Sequence, residues 1–294
     1  VRTSAVLASA IEVHVDDQNT PHLVYRHDTT DQLELAVGGS GWSLTTLGEE
    51  GEALSVQHPT TVLSNNSLAI GLVASNGTGS NLAVWIYDGT ALSKHDIANH
   101  TDLNSELGLT VLANGSLLLA VLTTDGTLSA HELWPGSDVW QEHTLPQPSG
   151  TNNEYRLDVS GGAHPLLAVR GNAISSIYGL NNSSVWTSLA ERPAAAVNGA
   201  WDVHHAGDHL LLFTSDPTSH HLIFNSLELD HASGEVAPWM SVQFGDIVAN
   251  HPVHATVDAN GTVHMAYWDE VDNDVIMLRL YPDADRDLVF DMID

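Results

Sequence analysis

The sequence contains no cysteine and almost no lysine, and each absence narrows what the chain can do. Without cysteine there are no disulfides and no thiolate metal sites, and the redox compartment stays undecided. Only Lys94 and seven arginines oppose 37 acidic residues, for a formal net charge of -29 at pH 7. Such a surface repels phosphate backbones and anionic lipid headgroups. We therefore expect no nucleic-acid partner.

Long apolar runs and helical patterns are also missing. No stretch reaches the roughly 18 consecutive apolar residues of a membrane span, so direct membrane insertion is not expected. Short apolar stretches with period-two character alternate with turn signals such as TTDGT, SNGTG and DANGT, and none carries a 3.6-residue stripe. The pattern predicts an all-β protein.

One segment occurs near both ends of the chain. VDDQNTPHLVYRH begins at Val15, and VDANGTVHMAYWD begins at Val257. Weaker copies lie between them, and a recurring valine separates successive copies by 47, 49, 48, 44 and 54 residues. The anchor valines are Val15, Val62, Val111, Val159, Val203 and Val257. All-β repeats of about 40 to 50 residues are typical of β-propellers, so we predict a six-bladed β-propeller over residues 1–281. A β-helix is the alternative.

The ends of the repeats predict how the ring closes. Five repeats continue into a late strand, namely WSLTTL, LSKHDI, WQEHTL, WTSLAE and WMSVQF. The sixth repeat has three strands through Leu280, and the N-terminal VRTSAVLAS precedes the first anchor as the other late strands precede theirs. We expect residues 3–8 to complete the last blade, which would leave no open sheet edge.

Tryptophan opens the last strand in four of the six repeats. These residues are Trp42, Trp140, Trp186 and Trp239. A large aromatic ring at a fixed blade position either packs between neighbouring sheets or contacts a ligand. Both interpretations remain open from the sequence.

A polar residue precedes each anchor valine. The six residues are His14, Thr61, Thr110, Asp158, Asp202 and Thr256. Because strand residues alternate faces, this position points into a central channel if the anchor strand is innermost. Asp158 and Asp202, from adjacent blades, would then share a proton or hold a cation. A water-filled channel lined by small polar side chains is the alternative. A second pair, His22 and His264, shares one repeat position, and we expect it to hold a turn or a strand by hydrogen bonding rather than to bind a metal.

The last 13 residues, 282–294, form an acidic tail, PDADRDLVFDMID. Asp283, Asp285, Asp287 and Asp291 follow the spacing D-x-D-x-D-x3-D, which matches alternating ligand positions of a calcium loop. Leu288 stands where an EF-hand loop needs glycine. We expect Ca²⁺ binding by this tail outside the propeller, and a solvated acidic linker is the alternative.

Three family resemblances rest on these motifs. The repeat built on PHLVY and VHMAY, followed by a G-W, resembles that of secreted bacterial and archaeal β-propeller proteins. The tail resembles the first repeat of a thrombospondin type 3-like calcium-binding linker. The tryptophan position resembles the blades of six-bladed fucose-binding lectins, which implies pockets between blades with an aromatic ring on the sugar and Arg and Glu on its hydroxyls. The seven arginines of this chain are not placed once per repeat.

Local catalytic motifs are absent from the sequence. It contains no sialidase S-x-D-x-G-x-x-W box, no local Ser-His-Asp arrangement and no glycine-rich phosphate loop. We predict a non-enzymatic, extracellular or cell-surface module of a longer chain, monomeric, that binds a glycan or a surface protein. The alternatives are a lectin with pockets between blades, and a polysaccharide hydrolase or lyase with its site at the channel mouth.

Seven Asn-x-Ser/Thr motifs mark surface loops. Their asparagines are Asn65, Asn76, Asn99, Asn114, Asn181, Asn182 and Asn260. They are either sites of glycosylation or simply good hairpin turns, since Asn-Gly favours tight turns.

Overall fold

The computed structural model describes residues 8–16, 18–27, 32–38, 41–48, 53–55, 57–75, 79–148, 156–161, 165–170, 174–180, 185–193, 201–206, 209–215, 221–228, 240–248, 254–257, 262–269, 274–281 and 291–292. Within these ranges every regular element is a β-strand. The chain divides into two compact units. The first contains Val1–Gln147, Gly161–Pro165 and Leu180–Trp186, and the second contains Pro148–Ser160, Leu166–Gly179 and Thr187–Asp294.

Three antiparallel sheets lie in the first unit. Sheet 1 has the order β1 (Ala8–Val15), β2 (Pro21–His27), β3 (Gln32–Val37) and β4 (Ser43–Leu47). In sheet 2, β5 (Ala53–Leu54) and β6 (Thr60–Val62) both pair with β7 (Leu68–Ser75), followed by β8 (Ser80–Tyr87) and β9 (Leu92–Asn99). Sheet 3 has the order β10 (Glu106–Val111), β11 (Leu117–Leu122), β12 (Leu128–Leu133) and β13 (Trp140–His143).

Three further sheets are built from the rest of the chain. Sheet 4 has the order β14 (Arg156–Ser160), β15 (Leu166–Arg170), β16 (Ile174–Leu180) and β17 (Trp186–Pro193). Sheet 5 has the order β18 (Trp201–Ala206), β19 (His209–Ser215), β20 (His221–Glu228) and β21 (Met240–Val248). Sheet 6 has the order β22 (His254–Val257), β23 (Val263–Asp269), β24 (Asp274–Tyr281) and β25 (Asp291–Met292).

Each sheet carries one of the predicted anchor valines. The anchors lie in β1, β6, β10, β14, β18 and β22, which we call the anchor strands. The predicted late strands also form, as β4, β9, β13, β17 and β21. The all-β prediction and its six repeats are therefore confirmed.

The outer edge of sheet 6 differs from the expectation. Leu280 pairs with Met292, and Tyr281 pairs with Asp291, so a strand from the C-terminal tail lies beside β24. Ala8 pairs with His27 in sheet 1, and residues 1–7 lie outside the described part of the chain. Closure by residues 3–8 is thus not shown. The sequence does not reveal this strand, because it has only two residues and lies among the carboxylates of the tail.

The core lies where sheets face each other. Because successive residues of β7 point to opposite sides, Ile70 packs toward sheet 1 and Ala69 toward sheet 3. The first cluster includes Val24, Leu33, Leu35, Leu68, Ile70 and Trp85, and the second includes Ala69, Val84, Leu109, Leu119 and Val121. Burial of each large aliphatic side chain stabilises the fold by about 1.5–3 kcal/mol. Sheet 2 is therefore covered on both faces, which fixes its two neighbours around it.

Candidate ligand-binding surface

Within each unit, the anchor strands of successive sheets lie next to one another. In the first unit β1 adjoins β6 and β6 adjoins β10, and in the second unit β14 adjoins β18 and β18 adjoins β22. Innermost strands of propeller blades have this relationship. This arrangement agrees with the premise that the anchor strand is the innermost strand of its sheet.

Three of the predicted channel residues are described in full, and they are only partly open to solvent. His14, Thr61 and Thr110 are half-buried. The imidazole Nε2 of His14 hydrogen-bonds the hydroxyl of Thr60 on β6, so His14 links sheets 1 and 2. Burial, and secondarily the nearby His22, lowers the pKa of His14.

The other three predicted channel residues are described only through their backbones. Asp158, Asp202 and Thr256 lie on β14, β18 and β22, and their side chains lie outside the described part of the structure. The strands β14 and β18 are adjacent, which is required if the carboxylates of Asp158 and Asp202 are to form a pair. Proton sharing or cation binding by Asp158 and Asp202 remains a prediction.

The loops that follow the anchor strands, which we call anchor turns, share one geometry in sheets 1 to 3. The N–H groups of Asp16, Leu63 and Leu112 donate to carbonyl oxygens four residues on, at 3.1, 2.8 and 2.9 Å. The fourth residue of each turn is left-handed, with φ of 58° at Asn19, 65° at Asn66 and 81° at Gly115. Asparagine and glycine tolerate this conformation best. The repeated segment at Val15 is thus largely the signature of a turn, and the turn residues of its copy at Val257 lie outside the described part of the chain.

A carboxylate and an imidazole support the anchor turn of sheet 1. One oxygen of Asp16 accepts the N–H groups of Gln18 at 2.9 Å and Thr20 at 2.8 Å, and the other lies 3.3 Å from His22 Nε2. These donors, led by the Thr20 N–H, lower the pKa of Asp16. The expectation that His22 holds a turn is confirmed.

Sheet 3 contains a second carboxylate–imidazole pair, and it is buried. Glu132 is 2% exposed, and His143 Nε2 lies 2.8 Å from its carboxylate. The Ser116 hydroxyl donates to the other oxygen, and the Asn114 amide reaches the same atom at 3.5 Å. The ring of Trp186 lies edge-on to His143, with centroids 6.4 Å apart. Three donors therefore satisfy a charge that would be costly to bury alone.

Two tryptophans lie exposed on turns that join a third strand to a fourth. Trp42 is 38% exposed before β4, and Trp134 is 44% exposed between β12 and β13. We call these two turns the aromatic turns. Trp42 was predicted as a ligand residue, whereas Trp134 was missed because it precedes the last strand by several residues. Its Trp-Pro-Gly context was the available signal, since an aromatic residue on a tight turn has few neighbours to cover it.

Each aromatic turn lies beside an anchor turn. In sheet 1 the Gly38 N–H donates to the Pro21 carbonyl at 2.8 Å, joining the two loops. In sheet 3 the Pro135 ring would lie 3.5 Å from a Cβ on Gly115. An exposed indole ring and a carboxylate–imidazole pair therefore occur at the same end of both sheets. Indole rings stack on apolar ligand faces, and the loop amides can meet hydroxyl groups.

The other predicted tryptophans occupy different environments. Trp140 is half-buried against the cluster between sheets 2 and 3, and Trp186 is 3% exposed. The indole Nε1 of each is buried without a hydrogen-bond partner among the described residues. Trp239 lies outside the described residues. Trp140 and Trp186 therefore pack inside the protein, whereas the ring of Trp42 is exposed to solvent.

The predicted calcium ligands are mostly outside the described residues. This applies to Asp283, Asp285 and Asp287, while Asp291 begins β25 with an undescribed side chain. Among the described residues no three His, Asp or Glu side chains are grouped so that they could hold a metal ion. Nor does that part of the chain contain a helix long and apolar enough to cross a membrane.

Comparison with known proteins shows a likeness of fold. No family model and no curated protein match the sequence. AofleA from Arthrobotrys oligospora is 13% identical over 98% of this chain and 86% of that chain, with a TM-score of 0.58. The SapL1 lectin in complex with alpha methyl fucoside is 10% identical over 98% and 95%, with a TM-score of 0.59.

A third similar structure is a fungal lectin from Aleuria aurantia, described with a six-bladed beta-propeller fold and a novel fucose recognition mode. It is 11% identical over 94% of this chain and 90% of that chain, with a TM-score of 0.52. At these identities the likeness concerns the fold alone. The chain has a β-propeller fold, as its repeats predicted.

Proposed function

We propose that this chain is a non-enzymatic β-propeller module that binds glycans at its aromatic turns. The observation that carries the proposal is the repeated combination of an exposed indole ring with a supported anchor turn, at Trp42 in sheet 1 and Trp134 in sheet 3. Solved structures of similar fold include lectins in complex with fucosides. Because one fold hosts many functions, the argument rests on the turns more than on the likeness.

The chemistry of the turns suits a neutral sugar. An indole ring covers the apolar face of a pyranose, and polar groups on the exposed turns can meet its hydroxyls. The net charge of -29 disfavours uronic acids, sialic acids and sulfated sugars near this surface. We therefore favour neutral oligosaccharides over anionic ones.

The lectin resemblance implied arginine on the sugar hydroxyls, but Arg26, the one arginine of sheets 1 to 3, does not fit this role. Arg26 is buried and donates to the carbonyl oxygens of Leu54, at 3.1 Å, and Ser55. It therefore joins sheet 1 to sheet 2 rather than facing solvent. Donors other than arginine would have to bind sugar hydroxyls here, so we propose glycan binding without assigning fucose as the ligand.

A glycan array tests this function. The wild type is compared with the Trp42→Ala, Trp134→Ala double variant, and Val139→Ala serves as a control because Val139 is an exposed apolar residue on the turn that carries Trp134. We expect the wild type and the control to bind the same neutral glycans, and the double variant to lose at least about tenfold in affinity, or 1.4 kcal/mol. Equal binding by all three proteins, or no glycan bound by the wild type, overturns the proposal.

The wider setting of the module is also proposed. We place the chain outside the cell, as one monomeric module of a larger surface or secreted protein, and we propose that the tail binds Ca²⁺ through Asp283, Asp285, Asp287 and Asp291. Its alternating carboxylates would otherwise repel one another. Calorimetry with calcium should give smaller heats for an Asp285→Ala, Asp287→Ala variant than for the wild type. Equal heats would mean that the tail is a solvated linker.

A further inference from the structure

Three of the seven Asn-x-Ser/Thr motifs lie wholly within the described residues. Their asparagines, Asn65, Asn99 and Asn114, are all exposed. The three motifs differ in the hydrogen bonds of two groups, the side-chain amide of the asparagine and the hydroxyl of the serine or threonine two residues later. That difference matters because an N-glycosylation motif is defined by both groups.

Asn65 and Asn114 are structural parts of the anchor turns. The Oδ1 atom of Asn65 accepts the Ser67 N–H at 3.0 Å, and that of Asn114 accepts the Ser116 N–H at 2.9 Å. Both serines are buried, at 3% and 0% exposure. The Ser116 hydroxyl is further engaged by Asn114 Oδ1, at 2.7 Å, and by Glu132. A transferase acting on the folded chain cannot reach either hydroxyl.

Asn99 has a different environment. It is the last residue of β9, the outer strand of sheet 2, where it pairs with Asn81. Thr101 is also exposed. The next backbone N–H, that of His100, donates to the Ser80 carbonyl at 2.9 Å, which keeps the segment on the sheet edge. The Asn99 side chain makes no hydrogen bond within the described part of the chain, so amide and hydroxyl both face solvent.

We propose that Asn99 is an N-glycan acceptor. In the reaction Asn99 Nδ2 attacks the anomeric carbon of a lipid-pyrophosphate-linked oligosaccharide, which an oligosaccharyltransferase presents. The new N–C bond forms, the C–O bond to pyrophosphate breaks, the lipid pyrophosphate leaves and Nδ2 loses one proton to a base. The modification requires the extracellular setting proposed above, but it does not depend on glycan binding by the aromatic turns.

A glycan at this position has a physical use. An outer strand presents unpaired N–H and C=O groups, and such edges pair with other chains unless they are covered. A bulky, hydrated oligosaccharide at the end of β9 hinders that pairing. Lys94 and Asp96 place charges on the same strand, and charged side chains also hinder pairing of an edge strand with another chain. The glycan would add to this effect.

The test uses the folded full chain with a purified single-subunit oligosaccharyltransferase and a lipid-linked oligosaccharide. Peptides covering residues 61–70, 95–104 and 110–119 serve as unfolded acceptors. Peptide mapping should find a glycan at Asn99 of the folded chain and none at Asn65 or Asn114, while all three peptides are modified. Thr101→Ala should abolish modification at Asn99, and Thr101→Ser should retain it.

Several results overturn this assignment. They are an unmodified Asn99 in the folded chain, equal occupancy at all three positions, or a 95–104 peptide that accepts no glycan. Because the readout is covalent mass and not ligand affinity, a negative glycan array leaves it unchanged. The two proposals therefore fail independently.

Discussion

At the scale of single residues, the fold depends on a few positions that tolerate little substitution. At some of them there is no space for a larger side chain, and at others a buried charge needs its hydrogen-bond donors. Gly161 lies against the end of β10, where an added Cβ would overlap the Val111 carbonyl oxygen and the Thr110 hydroxyl. Glu132 is a buried carboxylate held by donors from two segments, the anchor turn of sheet 3 and β13. Both positions yield sharp predictions because their surroundings leave little space for relaxation.

Replacing Gly161 by alanine should destabilise the protein by about 1–3 kcal/mol, since the added methyl group forces the two segments apart. Gly41→Ala is the matched control, because nothing lies within 4 Å of a Cβ built on Gly41. Urea unfolding measures both. Equal midpoints for the two variants would show that the close approach at Gly161 does not exist.

The pair of Glu132 and His143 predicts a non-additive result. His143→Leu leaves a buried carboxylate with one donor fewer and should cost about 3–5 kcal/mol. The Glu132→Leu, His143→Leu double variant removes the charge as well and should be less destabilised than the single variant, because apolar replacement of a buried pair is often tolerated. Glu142→Gln, at an exposed position, should be close to neutral. A double variant worse than the single one would contradict this account.

At the scale of strands and sheets, the sequence predicted most of the architecture. Anchor valines, late strands and repeat spacing were visible because strand periodicity and turn residues are local properties. The pairing of β25 was not visible, since a two-residue strand gives no periodic signal. The contact of His143 with Glu132 and the exposure of Trp134 depend on which loops meet in space, and no spacing rule encodes that.

The seams between sheets 1, 2 and 3 carry histidines whose pKa values are lowered, chiefly by burial. They are His14, His100 and His131. Below about pH 6.5 the unfolded chain binds protons at these positions before the folded chain does. The stability that these neutral histidines contribute is therefore fully present above about pH 6.5. It is lost as the pH falls toward their lower pKa values in the folded state.

We expect the urea concentration at the unfolding midpoint to decrease when the pH is lowered from about 8 to about 5.5. The decrease should be smaller in a His131→Gln variant. Lowered pKa values of carboxyl groups such as Asp16 and Asp102 act below this window, because an aspartate in an unfolded chain titrates near pH 3.9. A midpoint that stays constant or rises on acidification would count against burial of these imidazoles.

At the scale of the whole molecule, charge is the dominant feature. The 37 acidic side chains face only eight basic ones, so the folded surface repels itself in dilute buffer. At roughly 1 M salt the screening length is about 3 Å, which removes most of that repulsion. The melting temperature should therefore rise from dilute buffer to molar sodium chloride. A flat or falling melting temperature would show that the acidic groups are locally compensated.

The central claim is that repeated aromatic turns bind glycans, and the stoichiometry of binding tests it most directly. The neutral glycan bound best on the array is titrated by calorimetry into the wild type, Trp42→Ala and Trp134→Ala. The account predicts at least two equivalent sites per chain, and the loss of one site in each variant with the remaining affinity unchanged. A single site that persists in both variants would contradict it.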